Sequence, residues 1–420
     1  MKTIFDNNHI KRLTCTLALM LAAGLPACSP APKPAPTATA PVAISEGSFA
    51  DGRGVALSFK LLYALAGTDI TNGAIGTAGI IDTLVAAKSG SAGETETELA
   101  DVLGMQGVLP KDVSDAALGL RQAMENLTGG KYAAAWGLFV GNNQPIKESF
   151  LTAANQSLKL NTIFHPMEGE AGLKYLNEWA DEATGGVIKK VGFTLPAAAA
   201  PFFVDVLSAD PDWTTALDTG KSRPLPFIYE GGEEKAVPTM VCLQNCGIYK
   251  GVDGSLAVLP CAEDKARLVV MVPPEGTSLR DFISVAAARH DEWLANAEWN
   301  NNRVLLPRFA TGFEGSAMAL LDSAGIGYLL REGKDYSALG EGLYFSDILH
   351  KAELIVDESG IEDPNPNASY RQGMKDDIPT LAVDRPFIVA LEKSDPDRKT
   401  GTGAILAMGF VQDPLTAKLK

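Results

Sequence analysis

The amino-terminal segment limits which part of the chain can form a folded core. Lys2, Lys11 and Arg12 precede an apolar run at 13–23 that is too short to cross a bilayer as a permanent helix. A charged start, a short apolar run and then small residues are typical of a signal peptide. The pattern therefore predicts that residues 1–27 are removed on export and contribute nothing to the fold.

The signal peptide ends in the letters LPAC at 25–28, which are similar to a bacterial lipobox. We expect Cys28 to be the acylated N-terminus of a lipoprotein on the cell envelope, in the outer membrane or facing the periplasm. A plain secretory signal with an incidental cysteine, giving a secreted protein, is the alternative. Residues 29–41 contain five prolines and no aromatic residue, so we expect 28–43 to be an extended tether.

The remaining stretch, 44–420, predicts a single large domain. No second linker, repeat or low-complexity segment divides it. With 46% hydrophobic residues the chain can bury a sizeable core. The formal charge of −15 becomes −17 without residues 1–28, because these carry three basic side chains and one acidic side chain, Asp6. Such an acidic surface repels phosphate backbones and argues against a nucleic-acid partner.

Three cysteines remain in the exported chain beyond the lipobox: Cys242, Cys246 and Cys261. Two strand-like runs flank Asp253-Gly254, which is a strong signal for a two-residue hairpin turn. In that register Cys246 lies opposite Cys261, and an oxidising compartment permits a disulfide between them. A Cys242–Cys246 bridge and three buried thiols are the alternatives. The CxxxC spacing has no histidines nearby, so it does not indicate a metal site.

The sequence contains no pattern that favours an enzyme. Outside the signal peptide the histidines are His165, His290 and His350, which are far apart, and no HExxH motif is present. A GxSxG nucleophile elbow, a Walker A loop and a GxGxxG loop are also absent. We therefore expect a protein that is not an enzyme and that uses neither a metal nor another cofactor.

Hydrophobic periodicity indicates both helices and strands in this domain. Apolar residues recur at helical spacing in 57–65, 84–103 and 173–183. Short apolar runs at 267–272 and 387–391 are typical of buried strands. Elements of both kinds in one undivided domain predict an α+β fold.

A series of short segments resembles one known family when the segments are read in order. They are FKLLY at 59–63, GSAGET at 90–95, LNEW at 176–179, TGGVIK at 184–189, LPR at 306–308, HKA at 350–352, DESG at 357–360, DRPF at 384–387 and ILAMG at 405–409. Each segment is weak evidence alone. Together, in this order and spacing, they resemble the serpins, a family of loop-presenting protease inhibitors and their non-inhibitory relatives, from about residue 57 to residue 414.

The resemblance implies an α+β fold of about nine helices and three β-sheets, with an exposed reactive loop between Gly360 and Arg385. In inhibitory serpins a serine or cysteine protease cleaves this loop and forms an acyl-enzyme. The cleaved loop then inserts as a new central strand of the main sheet and carries the trapped protease with it. The implied function is suicide inhibition of a protease, and the implied partner is that protease.

The family's usual distance from the hinge glycine, here Gly360, implies which residue the protease attacks. It leads to Met374, with Lys375 as the alternate. Met374 suits a chymotrypsin-like or elastase-like enzyme with an apolar pocket. Lys375 or Arg371 suits a trypsin-like enzyme whose pocket carries an acid.

The hinge that would enter the sheet departs from the family pattern. The resemblance places it from Glu358 and Gly360 onward, where inhibitory serpins carry a threonine and then alanines. Here Ile361 follows the glycine in the stretch IEDPNPN, and neither Pro364 nor Pro366 has an N–H to donate. We therefore expect the loop to be cut but to insert poorly. A non-inhibitory serpin-fold binding protein or protease substrate is the alternative function.

The resemblance also implies a region where the main sheet opens. It places His350 opposite Asp205 across the sheet, where the family usually has an asparagine, and it assigns Trp213 to the same region. A buried histidine with no switching role is the alternative interpretation of His350. Arg308 and Glu358 match the positions of a salt bridge at the place where the loop enters the sheet, although surface pairs of this kind can contribute little.

Overall fold

The computed structural model describes residues 54–105, 110–127, 130–141, 144–196, 200–215, 217, 219–261, 264–358, 378–394 and 403–416. The chain divides into two units, Met1–Ala40 and Pro41–Lys420, and every described residue belongs to the second unit. The predicted signal peptide, Cys28 and the predicted tether lie outside the described residues.

Eight α-helices are present in the described part of the chain. They are α1 Val55–Leu65, α2 Thr77–Gly90, α3 Gly93–Val102, α4 Pro110–Glu125, α5 Glu148–Leu158, α6 Gly169–Ala183, α7 Leu279–Ala295 and α8 Met318–Ser323. The helices predicted at 57–65 and 173–183 are confirmed as α1 and α6. The helical pattern at 84–103 covers two helices, because the backbone is extended at Ser91 and left-handed at Gly93.

Fourteen strands accompany these helices within the described residues. They are β1 Asn72–Ile75, β2 Gly130–Val140, β3 Asn161–Phe164, β4 Phe202–Pro211, β5 Arg223–Ile228, β6 Glu234–Lys250, β7 Ser255–Cys261, β8 Ala266–Val272, β9 Glu298–Pro307, β10 Phe309–Ser316, β11 Ile348–Val356, β12 Thr380–Ala382, β13 Phe387–Lys393 and β14 Ile405–Val411. The strands predicted at 267–272 and 387–391 are confirmed as β8 and β13.

The strands form two hydrogen-bonded sheets. The larger has nine strands in the order β1-β14-β13-β8-β7-β6-β9-β12, with β5 also paired to β6. The smaller has five strands in the order β10-β11-β4-β2-β3. All seven residues of the central strand β8 are buried, which explains its continuous apolar sequence.

The α+β class expected from the sequence is confirmed. The resemblance implies about nine helices and three sheets, whereas the described residues contain eight helices and two sheets. The lower sheet count follows from the length of β6, whose 17 residues pair with β5 and β9 over most of the strand and with β7 at its end. Hydrogen bonds therefore run without a break from β5 through β6 to β7 and β9, and all of these strands belong to one sheet.

Helix α2 lies between the two sheets. Twelve of its fourteen residues are buried, and it contacts β14 of the larger sheet and β4 of the smaller one. A helix that is buried on nearly every side is typical of the interior of a large domain. Its first turn lies against the smaller sheet, because the N–H of Gly76 donates a hydrogen bond to His350 of β11.

The hairpin register predicted around Asp253-Gly254 is wrong. Strands β6 and β7 pair with Lys250 opposite Ser255, so four residues connect them rather than two. The connection is closed by a hydrogen bond from the N–H of Gly251 to the carbonyl of Gly254. The Asp253 carboxylate forms an ion pair with Arg289 of α7, at 2.7 Å. The turn is two residues longer than the letters Asp-Gly indicate.

The predicted Cys246–Cys261 disulfide is therefore also wrong. In the observed register the two residues do not face each other, and Cys242, Cys246 and Cys261 are free, buried thiols. The alternative of three buried thiols is the one that the structure shows. Burial raises the pKa of Cys246 and of Cys261 to about 12, so neither thiol is a reactive thiolate at neutral pH.

A buried charged cluster joins α7 to the larger sheet. One oxygen of Glu392 in β13 accepts hydrogen bonds from Nε and Nη2 of Arg267 in β8, at 2.9 and 2.7 Å. Its other oxygen lies 2.7 Å from Nε2 of His290 in α7. None of the three side chains is more than 4% exposed. Each charge is compensated by a neighbour, which is the condition under which buried ions are tolerated.

The charge of His290 follows from these neighbours. Burial alone would lower the pKa of His290, but the carboxylates of Glu392 and Asp291 outweigh burial and raise this pKa to about 9. Burial would likewise raise the pKa of Glu392, yet the positive charges of Arg267 and His290 hold it below its usual value. His290 is therefore an imidazolium at neutral pH.

The His290 cluster predicts a loss of stability in mild alkali. The pKa of His290 is about 9 in the folded protein and about 6.5 in an unfolded chain. Its contribution to the free energy of unfolding is complete below the lower value. It is lost as the pH rises from the lower value through the higher one, at about 1.4 kcal/mol per pH unit. Between these two pH values, the urea midpoint of the wild-type protein should fall more steeply with pH than that of a His290→Asn variant. Equal slopes would contradict the assignment of a charged His290 to this cluster.

Candidate functional site at the parallel seam

Strands β4 and β11 lie side by side and parallel inside the five-stranded sheet. They pair from Phe203–Ile348 to Ala209–Leu354, and we call this pairing the seam. The outer neighbours β2 and β10 are antiparallel to them. A strand placed between β4 and β11 could run antiparallel to both and form hydrogen bonds with both. The seam is therefore the place where this sheet could gain a strand.

The chain that leaves β11 continues to the other sheet. Residues 359–377 connect the segment after β11 to the segment before β12, which pairs in parallel with β9. Two contacts hold the chain on the larger sheet at the start of β12. We call this place the second anchor, and the end of β11 the first. The N–H of Arg303 donates to the carbonyl of Pro379 at 2.9 Å, and Nζ of Lys250 donates to the carbonyl of Thr380 at 2.7 Å. A long segment is thus held at both ends, on two different sheets.

The reactive-loop candidates fall between these two anchors. They lie outside the described residues and are Gly360, Ile361, Pro364, Pro366, Arg371, Met374 and Lys375. Their roles stay predictions. Glu358 is the last residue that the structure describes before them.

Three side chains hold the segment after β11 in place, since Trp213, Ser222 and Arg308 each contact Asp357 or Glu358. We call these five residues the insertion end. Trp213 is fully buried, and its Nε1–H donates to the carbonyl of Asp357 at 2.7 Å. Glu358 is 6% exposed. One of its carboxylate oxygens accepts a hydrogen bond from the Ser222 hydroxyl, and the other lies 2.6 Å from Nε of Arg308.

The expected Arg308–Glu358 contact is thus present. Among the residues that the structure describes, the Nε–H of Arg308 finds no acceptor in hydrogen-bond geometry, so its contact with Glu358 is an ion pair. The Arg308 side chain is 34% exposed, and solvent therefore weakens the attraction. Its part in admitting the loop to the sheet stays a prediction.

His350 and Asp205 face each other in the middle of the seam, as the resemblance implies. The two residues are directly paired in register, and Nδ1 of His350 lies 2.7 Å from Oδ2 of Asp205. The other ring nitrogen, Nε2, accepts a hydrogen bond from the N–H of Gly76 at 3.0 Å. Because Nε2 is an acceptor, the hydrogen bonds assign a neutral ring that donates through Nδ1. Both nitrogens are satisfied, which favours the interpretation of His350 as a buried structural histidine.

The opposite face of the seam is covered by a segment that follows α6. We call residues 187–196 the strap. Val191 of the strap belongs to one apolar cluster with Val206 of β4 and Leu349 of β11. Alternate residues of a strand face opposite sides of a sheet. The strap therefore covers the face that Leu349 presents, whereas His350 faces α2.

Polar contacts tie the strap to α6 and to β10, the strand that pairs with β11. The N–H of Val191 donates to Oδ1 of Asn177 in α6 at 2.7 Å. The next N–H, of Gly192, donates to the Glu314 carboxylate in β10. Lys351 of β11 lies 2.9 Å from the same carboxylate. The strap is thus anchored on α6 at one side and on β10 and β11 at the other.

This combination of seam, insertion end and strap can be compared with known proteins. A family model described as Serpin (serine protease inhibitor) matches residues 54–414, which is most of the chain. The chain belongs to the serpin family. Serpins are mostly protease inhibitors rather than catalysts, and the resemblance carried by the short motifs is confirmed.

Individual serpins are similar to this one at low identity. Serpin-Z1C of Triticum aestivum is 24% identical over 360 residues, which cover 79% of this chain and 87% of that protein. Serpin-Z10 of Arabidopsis thaliana is 26% identical over 267 residues, covering 57% of this chain and 65% of its own length.

Solved serpin structures show the same fold. The thermophilic serpin Tengpin, in its native state, has a TM-score of 0.74 at 22% identity, covering 88% of this chain and 96% of its own. Mouse protein-Z dependent protease inhibitor has a TM-score of 0.73 at 18% identity, covering 87% and 97%. At these identities the comparison shows the shared fold alone.

The described residues of this serpin contain no group of three or more His, Cys, Asp or Glu side chains placed to hold a metal ion. The three histidines have separate surroundings. His165 stacks on Tyr175, His290 belongs to the buried cluster and His350 lies in the seam. Among the described helices, none is both long and apolar enough to cross a bilayer.

Sequence reasoning missed several residues of this site, among them Ser222, Glu314 and Lys351. Each contacts a segment far from it in sequence, so local spacing carries no sign of the contact. The polar residues of β10 and β11 did offer one signal. Glu314 and Lys351 are opposite charges on strands that pair in this serpin, and they face each other in register.

Trp213 offers a test of the insertion end, with Trp293 of α7 as its matched control. Both indoles are fully buried. Within the described residues, Nε1–H of Trp213 has a hydrogen-bond partner, whereas that of Trp293 has none. Each Trp→Phe change removes similar volume. Trp213→Phe also removes the hydrogen bond to Asp357, so it should lower the free energy of unfolding by about 1–2 kcal/mol more than Trp293→Phe. Equal losses in urea unfolding would show that the bond to Asp357 contributes nothing.

Proposed function

We propose that this serpin inhibits a serine or cysteine protease by acting as a suicide substrate. The observation that carries the proposal is the closed parallel seam, whose strand β11 leads through Glu358 into residues 359–377. The seam offers that segment a place in the sheet. A sheet that gains a central strand gains ladder hydrogen bonds and buried area together. Cleavage of the loop would remove the covalent restraint that prevents this gain.

The proposed chemistry uses the nucleophile of the protease. Its serine hydroxyl or cysteine thiol attacks the carbonyl carbon of the bait residue. The peptide bond to the next residue breaks, and that nitrogen takes up a proton and leaves as a new amino terminus. The bait residue is then joined to the protease as an ester or thioester. Insertion at the seam would carry this acyl-enzyme away before water hydrolyses it.

The bait is proposed to be Met374, with Lys375 as the alternate. Both belong to the segment 359–377, which connects the insertion end to the segment before β12. An apolar pocket would accept Met374, and a pocket with an acid would accept Lys375. The class of protease trapped therefore distinguishes the two.

The hinge sequence favours a second candidate function, in which the loop is cut without trapping or serves as a binding surface. Pro364 and Pro366 lie two residues apart, so both missing N–H groups fall on the same edge of an inserted strand. The polar residues Asp363, Asn365 and Asn367 of the same stretch would also have to be accommodated within the sheet, at a cost of about 1–3 kcal/mol for each group left unpaired. Slow insertion would let water release the protease, and much of the protein would be consumed as substrate.

Export is part of the proposal. Lipid on Cys28 and the proline-rich tether would hold the inhibitor at the cell envelope, where it would meet proteases of a host, a predator or the cell itself. Growth with a labelled fatty acid tests this attachment. An unlabelled protein recovered from the medium would contradict it.

The inhibitor proposal is tested by mixing the mature protein with chymotrypsin, elastase, trypsin and papain. We expect a covalent adduct that survives boiling in detergent, together with loop-cleaved protein, and mass spectrometry should place the cut after Met374 or Lys375. A variant with residues 361–367 replaced by threonine and alanines should convert more of the protein into adduct, because such a hinge inserts without proline or polar side chains.

The matched control keeps the natural hinge and changes both bait candidates to aspartate, which none of the four pockets accepts well. It should form no adduct. Cleavage at the bait with no adduct, for the natural hinge and for the threonine-alanine hinge alike, would contradict inhibition and favour the second candidate function.

A further inference from the structure

A groove of about 500 Å³ runs beside β10, the outermost strand of the five-stranded sheet. Among the described residues β10 pairs with β11 alone. The groove is lined by residues from both faces of β10, since Phe313 stacks on His350 on the inner face and Glu314 lies on the opposite face. It therefore follows the edge of the strand, where the backbone groups of β10 pair with no described strand.

The chain that leaves β14 is held at this groove by Asn72. The side-chain oxygen of Asn72 accepts the N–H groups of Gln412 and Asp413 at 2.9 and 3.0 Å. Its Nδ2 donates to the carbonyl of Asp413 at 2.7 Å and to the hydroxyl of Thr416 at 3.0 Å. Both Asn72 and Thr416 line the groove. Residues 417–420 follow directly, lie outside the described residues and can extend by about 14 Å, which is enough to run along half of β10.

The side chains of these four residues match the two faces of β10. Their sequence is AKLK, so an extended backbone places Leu419 on one face and both Lys418 and Lys420 on the other. Phe313 is apolar and only partly buried, whereas the next residue of β10, Glu314, is an exposed carboxylate. On a strand paired with β10, leucine can therefore pack beside Phe313 while the lysines lie on the side of Glu314.

We propose that residues 417–420 pair with the outer edge of β10 and cover it, with Leu419 beside Phe313 and the two lysines beside Glu314. An uncovered sheet edge is a template on which another chain can add a strand, and lysines on a short edge strand oppose such pairing. The segment would thus occupy an interaction surface of its own protein. The proposal involves neither the reactive loop nor a protease, so it is independent of the proposed inhibition.

Charge and packing have different parts in this contact. The groove lining contains two carboxylates, Glu314 and Glu353, and one ammonium group, Lys351, which lies 2.9 Å from Glu314. A segment with two lysines and no acidic residue complements this charge. Solvent weakens such exposed pairs, so they determine which face the lysines take, whereas ladder hydrogen bonds and the contact between Leu419 and Phe313 contribute most of the stabilisation. The order of the residues should therefore matter more than their composition.

Amide hydrogen exchange of the intact protein tests the cover. In a variant that lacks residues 417–420, amides of β10 should exchange about tenfold faster than in wild type, with those of β8 and β13 unchanged. The matched control keeps length and composition and exchanges two neighbours, as Lys418→Leu with Leu419→Lys. It should lose the same protection, because Asn72 fixes Thr416 and the segment cannot shift by one residue to restore the match. Leu419→Met should retain the protection.

Carbodiimide cross-linking of a mixture of unlabelled and ¹⁵N-labelled protein identifies what occupies the groove. We expect a direct amide link from Lys418 or Lys420 to Glu314 in which both peptides carry the same label, as they must within one copy. Links only between labelled and unlabelled peptides would show that a second copy fills the groove and would overturn the proposal. Unchanged exchange of β10 in the deletion variant would also overturn it, as would equal acceleration in both sheets, which would indicate a general loss of stability.

Discussion

The parallel pairing of β4 with β11 is the interaction on which the rest of this structure depends. It closes the five-stranded sheet and determines where the chain leaves for the reactive loop. It also explains the elements on the two faces of the sheet. Helix α2 bridges the seam on one face, through Gly76 and Gly79, and the strap bridges it on the other. Any widening of the seam must therefore disturb contacts on both faces.

The two buried clusters that contain a carboxylate and a histidine differ in a way that matches their places. Glu392 is compensated by Arg267 and by protonated His290, and the three residues join α7 to two strands of the larger sheet. Asp205 lies 2.7 Å from Nδ1 of His350 across the seam, and Nε2 of that ring accepts the N–H of Gly76. The first arrangement stabilises the contact between α7 and the larger sheet. The second links two neighbouring strands of the smaller sheet to the start of α2.

The sequence was sufficient for the fold class and for two of the contacts in the site. The Arg308–Glu358 and Asp205–His350 contacts could be expected because each residue lies within or beside a segment whose place in the fold is fixed by the order of the motifs. The Cys246–Cys261 pairing could not be settled in this way. The observed turn is two residues longer than the letters Asp-Gly indicate, and this difference shifts the register of β6 against β7. The strap contacts were missed because their partners are distant in sequence.

Melting of the protein before and after a single cut in the loop tests the central claim most directly, namely that the seam can accept the loop as a sixth strand. The variant with threonine and alanines at 361–367 is the most favourable case. Our account predicts that its melting temperature rises strongly on cleavage, because ladder hydrogen bonds and buried area are added at once. The natural hinge should give a smaller rise. An unchanged melting temperature after complete cleavage of both proteins would contradict the claim.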